Sequence, residues 1–81
     1  MFFVYILMSE KDHKRYIGST NDLDRRLESH TNGHVKSTKN RRPLNIIYKE
    51  EFSTEHEARE REHFLKTHKG YNELKKRFVG V

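Results

Sequence analysis

Tyr16-Ile17-Gly18-Ser19-Thr20-Asn21-Asp22-Leu23-Asp24-Arg25-Arg26-Leu27-Glu28-Ser29-His30 is the stretch whose reading decides the fold. It begins as a strand that ends at a glycine and continues with Leu23 and Leu27 at the spacing of one helix face. Asn21 is the expected helix cap, Asp22 and Asp24 sit in the first turn where carboxylates complement the helix dipole, and Gly33 is the expected stop. Arg26 and His30 share one edge of the leucine stripe, at the boundary between core and solvent. Arg26 can equally pair with Asp22, and His30 can be a half-buried helix-end histidine. Gly18 lets another backbone or a phosphate approach closely, or serves as a simple turn or bulge glycine.

Upstream, Phe2 to Met8 is an apolar run rich in aromatic and β-branched residues, suited to a central strand buried on both faces. Phe3, Tyr5 and Leu7 then point one way and Val4, Ile6 and Met8 the other. Ser9 to His13 is the turn, and Arg15 to Ser19 is the returning strand. The hairpin register decides whether Tyr5 and Tyr16 share a face. A four-residue loop sets them opposite each other, a five-residue loop requires a bulge, and the sequence leaves the choice open.

Downstream, Gly33 to Pro43 forms a basic loop carrying Lys36, Lys39, Arg41 and Arg42, suited to phosphate contacts or simply solvated. Leu44 to Phe52 is a third strand, with Leu44, Ile46 and Tyr48 on one face and Asn45, Ile47 and Lys49 on the other. Ser53 or Thr54 caps a second helix running to about Lys69, and Thr54-Glu55-His56-Glu57 has the form of a capping box. Ala58, Glu62 and Leu65 fall in line on that helix, so Glu62 lies among its few apolar positions and must be paired or bound to a metal. Pairing with Lys66 or Arg26 is the plain alternative. Gly70 is expected to break or bend the chain before a last helix marked by Tyr71, Leu74 and Phe78, with Lys75, Lys76 and Arg77 beside them and Asn72 as a cap.

Eighty-one residues bound the chain to one domain over 1–81 with a thin core. Seventeen Lys and Arg against twelve Asp and Glu give a net charge of +5, which favours a polyanionic partner, nucleic acid ahead of membrane. A merely solvated basic surface would have the same composition. The absence of cysteine excludes disulfides, a Cys nucleophile and thiolate zinc sites, and fits a reducing cytoplasm. The apolar amino terminus is far short of the ~20 residues a spanning helix needs.

Phe3-Val4-Tyr5, Tyr16-Ile17-Gly18 followed by Ser19-Thr20-Asn21-Asp22-Leu23, then Arg26, and finally Glu57-Ala58-Arg59-Glu60-Arg61-Glu62, taken in this order, resemble the GIY-YIG nuclease family, specifically its small standalone bacterial members. The likeness runs from Phe2 to about Gly70. The first motif has Phe-Val-Tyr where the family has Gly-Ile-Tyr, and Asn72 is not matched to the family's late asparagine. The resemblance implies an α+β fold, a three-stranded antiparallel sheet flanked by helices in the order β-β-α-β-α-α. It implies a divalent-metal-dependent endonuclease acting on DNA ahead of RNA, with Mg²⁺ or Mn²⁺ as cofactor and no membrane partner. Tyr5 and Tyr16 take the two tyrosine positions, Arg26 the phosphate-binding arginine, Glu62 the metal-binding glutamate, and His30 an assisting histidine. Gly18, Lys36, Lys39, Arg41 and Arg42 are the expected nucleic-acid contacts, and a protein partner could supply targeting. The rival expectation is a nucleic-acid-binding module with little or no cleavage, and a third is a protein-interaction domain. Oligomeric state and preferred DNA structure stay open.

Overall fold

The computed structural model describes the backbone of residues 1–78 and the side chains of residues 1–76. The chain runs β1 (Phe2–Ser9), β2 (Arg15–Thr20), α1 (Leu23–Thr31), a single 3-10 turn (Lys39–Arg41), β3 (Leu44–Phe52), α2 (Glu55–Leu65) and α3 (His68–Phe78). It is an α+β fold with an antiparallel sheet in the order β2-β1-β3. No helix among the described residues is long and apolar enough to cross a membrane.

β1 takes the central place because its sequence is apolar on both faces. Val4 and Ile6 pack with Ala58 and Leu65 of α2 and Leu74 of α3, and Phe2, Ile17, Ile47, Tyr48, Phe52 and Phe64 close around them. Each large side chain so buried contributes about 1.5–3 kcal/mol. Tyr5 and Leu7 are equally buried on the opposite face, toward α1. The sheet is therefore covered by α2 and α3 on one side and in part by α1 on the other.

The hairpin pairs Tyr5 with Gly18 and Leu7 with Tyr16. Ser9 N–H donates to Lys14 O at 3.0 Å and His13, at φ 58°, closes the turn. Tyr5 and Tyr16 are thus diagonal neighbours on one face rather than directly opposed. The register against β3 shifts between Ile6 and Leu7, which pair with Tyr48 and Ile46 and leave Ile47 extra. This bulge overturns the expected strict alternation of β3: Ile47 and Tyr48 both pack toward the core, while Ile46 is 42% exposed.

Four expectations about helix ends are also corrected. The cap of α1 is Asp22, not Asn21, because Thr20 already ties down the turn through Asp22 N, freeing the Asp22 carboxylate to accept from Arg25 N at 3.1 Å. Helix α2 ends at Leu65, short of Lys69, and the break falls at Lys66 and Thr67. Gly70, far from breaking the chain, lies inside α3, and Asn72 is an exposed residue within that helix rather than a cap. Gly70 is needed because the start of α3 folds back against the last turn of α2 so closely that a Cβ would overlap Phe64 O. Thr54 does cap α2, accepting from Glu57 N at 3.2 Å and donating to the Glu57 carboxylate at 3.0 Å. The side chains of Arg77 and Phe78, expected on the last helix, lie outside the described residues.

Arg61 joins α2, β3 and α3. Its Nε donates to Glu50 at 2.8 Å and its two Nη groups to Glu73 at 2.6 and 3.3 Å. Those bonds hold the guanidinium well above its ordinary pKa, so the clamp stays charged.

Candidate active site

β1 presents Tyr5 toward α1, and α1 returns Arg26 and His30, one turn apart, over the same spot. The Tyr5 hydroxyl lies 2.9 Å from His30 Nε2 and accepts from Arg26 Nε at 3.2 Å. Tyr16 completes the cluster. Its ring centroid is 4.9 Å from that of His30 in an edge-on arrangement and 6.2 Å from that of Tyr5. Gly18 is buried directly beneath: a Cβ on it would stand 2.6 Å from the Tyr5 hydroxyl oxygen. The space that its missing side chain leaves is taken by the Tyr5 phenol.

Burial shapes the protonation of this cluster. It pushes the Tyr5 phenol up to about 12; the Arg26 hydrogen bond and charge oppose the rise, while Tyr16 adds to it. Burial likewise lowers His30 to about 4, with the Arg26 charge acting in the same direction. The hydrogen bond to Tyr5 chiefly holds the Arg26 guanidinium above its ordinary pKa. Near neutral pH the cluster therefore holds a neutral phenol, a neutral imidazole and a fixed cation. That cation borders an open polar cavity of ≈ 530 Å³ lined by Thr20, Asn21, Asp22, Arg25, Arg26 and Ser29.

His30 is buried through a contact that no local pattern signals. Its Nδ1 lies 2.8 Å from Thr38 Oγ1, and Thr38 is itself fully buried. The segment carrying Thr38 is pinned by the β1–β2 turn: Ser9 Oγ donates to Arg41 O at 2.6 Å, Arg41 pairs with Asp12 at 3.1 Å, and Glu10 N donates to Pro43 O at 2.9 Å. The peptide before Pro43 is cis. Much of the basic loop thus has structural duties. Arg41 also donates to Arg15 O, and Arg42 donates to Lys39 O and Thr31 O. Lys36 and Lys39 project as exposed side chains.

Glu62 lies in line with buried Ala58 and Leu65 and is half-buried. It is held on the other face of the sheet from the tyrosines, because its partner Ser19 follows Gly18 by one residue along β2 and so points the opposite way. Ser19 Oγ donates to Glu62 Oε1 at 2.5 Å and Lys66 Nζ to Oε2 at 2.8 Å. Burial acts to raise this carboxyl, but the hydrogen bonds from Lys66 and Ser19 and the charges of Lys66 and Arg59 outweigh it and lower the pKa. The pairing with Lys66 expected as the plain alternative is present, and pairing with Arg26 is not seen. Four residues, Tyr5, Tyr16, Arg26 and His30, therefore meet directly, and Glu62 approaches from across β2. A second cavity, ≈ 230 Å³ and lined in part by Ser19 and Arg59, shares Thr20 and Asn21 with the cavity beside Arg26. The two hollows meet at the end of β2.

Among the described residues no group of three or more His, Asp or Glu side chains is placed to hold a metal ion. A magnesium-like ion that keeps most of its water shell needs only one or two carboxylates. Glu62, ionised and half-exposed, fits that role provided that the exposed Lys66 ammonium gives way.

Comparison with known proteins agrees with this architecture. A UPF0213 protein from Clostridium perfringens is 42% identical over 67 residues, covering 82% of this chain and 71% of its own length. UPF0213 protein YazA from Bacillus subtilis is 43% identical over 65 residues, and the chain spans 65% of its length. The solution NMR structure of a UPF0213 protein from Bacillus halodurans matches 99% of this chain and 88% of its own, with a TM-score of 0.59 and 31% identity. The family model described as the GIY-YIG catalytic domain matches residues 1–76, and this chain belongs to the GIY-YIG family.

Proposed function

We propose that the protein is a divalent-metal-dependent endonuclease that hydrolyses DNA phosphodiester bonds. The observation that carries the reading is the Tyr5 phenol, held at 2.9 Å from a buried neutral histidine and at 3.2 Å from a guanidinium, in a chain of this family. Arg26 binds the scissile phosphate, since the forked guanidinium has further N–H donors beyond the one given to Tyr5. Its charge stabilises the negative charge that develops on the phosphoryl oxygens.

The Tyr5 hydroxyl is fully buried in the free chain; once substrate on Arg26 opens it, Tyr5 takes a proton from the attacking water as its own passes to His30 Nε2. One O–H bond breaks on water and one on Tyr5; one O–H forms on Tyr5 and one N–H on His30. A single concerted step avoids a free phenolate, which burial opposes by pushing Tyr5 up to about 12. A phosphate on Arg26 also cancels part of the charge that lowers His30, and so raises its basicity. Tyr16 orients the water or the phosphate. Glu62 would hold the cation, which when bound supplies Lewis-acid stabilisation of the phosphoryl and leaving oxygens. Because Glu62 and the tyrosines lie on opposite faces of β2, we place the substrate strand across the end of β2, at Thr20 and Asn21. Lys36 and Lys39, with Arg41 and Arg42, contribute the remaining contacts, which position the backbone without reading sequence, while Gly18, buried beneath Tyr5, serves the site by making room for the phenol. A protein partner then supplies target choice.

The deciding assay compares Mg²⁺ or Mn²⁺ with chelator on single-stranded, duplex and branched DNA, with Glu62→Ala as control. Identical products from both proteins would sink the reading. One observation favours the second reading, a nucleic-acid-binding module: the Glu62 carboxylate is already engaged by Ser19 and Lys66. Salt-sensitive binding without cleavage under either metal would bring it forward.

A further inference from the structure

His30 is neutral, so one ring nitrogen carries a hydrogen and the other does not, and Tyr5 can pass a proton only to a bare Nε2. The contacts around the ring decide which. Arg26 Nε is a donor and nothing else, and it is committed to the Tyr5 oxygen at 3.2 Å. The strongest acceptor left to the phenol hydrogen is His30 Nε2 at 2.9 Å, with the Tyr16 hydroxyl as a weaker neighbour of the same oxygen. The imidazole hydrogen then sits on Nδ1 and meets Thr38 Oγ1 at 2.8 Å. The Thr38 hydroxyl hydrogen has its own acceptor in Val35 O at 3.5 Å, a long bond but the one that completes the series.

Every hydrogen in this arrangement has an acceptor, and all point the same way: Tyr5 to His30, His30 to Thr38, Thr38 to Val35. The reversed arrangement would aim both Arg26 Nε–H and His30 Nε2–H at the Tyr5 oxygen. The phenol hydrogen would then lose its 2.9 Å acceptor and have only the weaker Tyr16 contact to turn to. In a site where Tyr5, His30 and Thr38 are all essentially inaccessible to water, that loss is costly.

We propose that Thr38 is a positioning residue that locks His30 as the Nδ1–H tautomer and so keeps Nε2 open to the Tyr5 proton. Thr38 touches neither the substrate nor the reacting atoms; it acts through His30. The catalytic consequence rests on the nuclease reading, but the tautomer itself does not. The placement of Thr38 also ties the site to the β1–β2 turn, which pins the segment after Thr38 through Ser9 and Asp12.

The test is the ring ¹⁵N spectrum of histidine-labelled protein near neutral pH, with the His30 signals assigned by their loss in His30→Gln. Wild type is expected to show a protonated Nδ1 and a bare Nε2. Thr38→Val, which removes the acceptor but keeps the shape, is expected to shift His30 toward the Nε2–H tautomer, and Thr38→Ser to restore the wild-type pattern. Turnover should fall about 10- to 100-fold in Thr38→Val, as for other groups that orient a working histidine, and recover in Thr38→Ser. An Nε2–H tautomer in wild type overturns the proposal whether or not Thr38→Val folds, and so does an unchanged Nδ1–H tautomer in a folded Thr38→Val. If the tautomer responds as stated while no variant or wild type cleaves DNA, the positioning role stands and the nuclease reading fails.

Discussion

Tyr5 and Gly18 face each other across β1 and β2, and the Tyr5 hydroxyl occupies the place where a Gly18 side chain would begin, 2.6 Å from an ideal Cβ. The glycine of the second motif and the tyrosine of the first are therefore one packing unit. Gly18→Ala must displace a ring that is closed in by His30, Arg26 and Tyr16. The expected result is a loss of about 1–3 kcal/mol in denaturant unfolding, the usual scale of overpacking, together with a strong loss of cleavage. Unchanged stability and unchanged cleavage would show that the ring has room to move.

Gly70 offers the opposite kind of test, one that concerns folding alone. An exposed helical glycine replaced by alanine ordinarily gains up to about 1 kcal/mol. Here the added Cβ would overlap Phe64 O and press on Leu65 Cα, both backbone, which no rotamer change can relieve. The sign should therefore reverse, with Gly70→Ala lowering the unfolding midpoint. A midpoint at or above that of wild type would mean that the start of α3 does not press on the end of α2 at Gly70.

The legibility of the sequence follows the range of the interactions involved. Local patterns were readable: the two-faced apolar run of β1, the Thr54 capping box and the position of Glu62 beside Ala58 and Leu65. The register of Tyr5 against Tyr16 and the bulge at Ile47 were not, because period-two patterning tolerates more than one pairing. Gly70 misled because a glycine needed for a close helix contact has the same spelling as a helix breaker. Thr38 carries no sequence signal of its role, and Ser19, though part of the motif, none of its bond to Glu62, because their partners, His30 and Glu62, are brought to them only by tertiary packing. No spacing rule connects such residues.

The low basicity of His30 sets a pH dependence of stability. Its pKa is about 4 in the folded chain against 6.5 ordinarily, so the unfolded chain takes up the proton first as pH falls. The contribution of this histidine is full above pH 6.5, declines through the interval below it and is gone beneath about 4. The total loss is up to about 3 kcal/mol. Unfolding curves at about pH 7 and about pH 4.5 should show this decline in wild type and a smaller one in His30→Gln. Equal slopes in the two proteins would place the titration elsewhere.

The basic loop divides into two pairs with different expected behaviour. Arg41 and Arg42 hold backbone carbonyls and Asp12, so replacing them should weaken the fold as well as any DNA complex. Lys36 and Lys39 are exposed and can be replaced without unfolding cost. Each lysine that contacts a phosphate releases about one counterion, so Lys36→Ala and Lys39→Ala should each reduce the salt slope of binding by about 1. Measured slopes equal to that of wild type would remove these lysines from the interface.

Lys66 is the natural gatekeeper of Glu62. Its ammonium donates to Oε2 at 2.8 Å, on the carboxylate proposed to hold the cation. The pair spans one turn of an exposed helix end, where such pairs are worth only about 0.3–0.5 kcal/mol, so an incoming divalent ion has little to overcome. Lys66→Met keeps the aliphatic stem and removes the competing charge. It should lower the Mg²⁺ or Mn²⁺ concentration for half-maximal cleavage by about twofold, the factor that so weak a pair can impose, while leaving the unfolding midpoint close to wild type. Glu62→Gln, which keeps the shape and the hydrogen bond from Ser19 but loses the charge, should abolish the metal response. If cleavage by Glu62→Gln rises with metal as wild type does, the cation is held by other groups and Glu62 serves the fold through Ser19 alone.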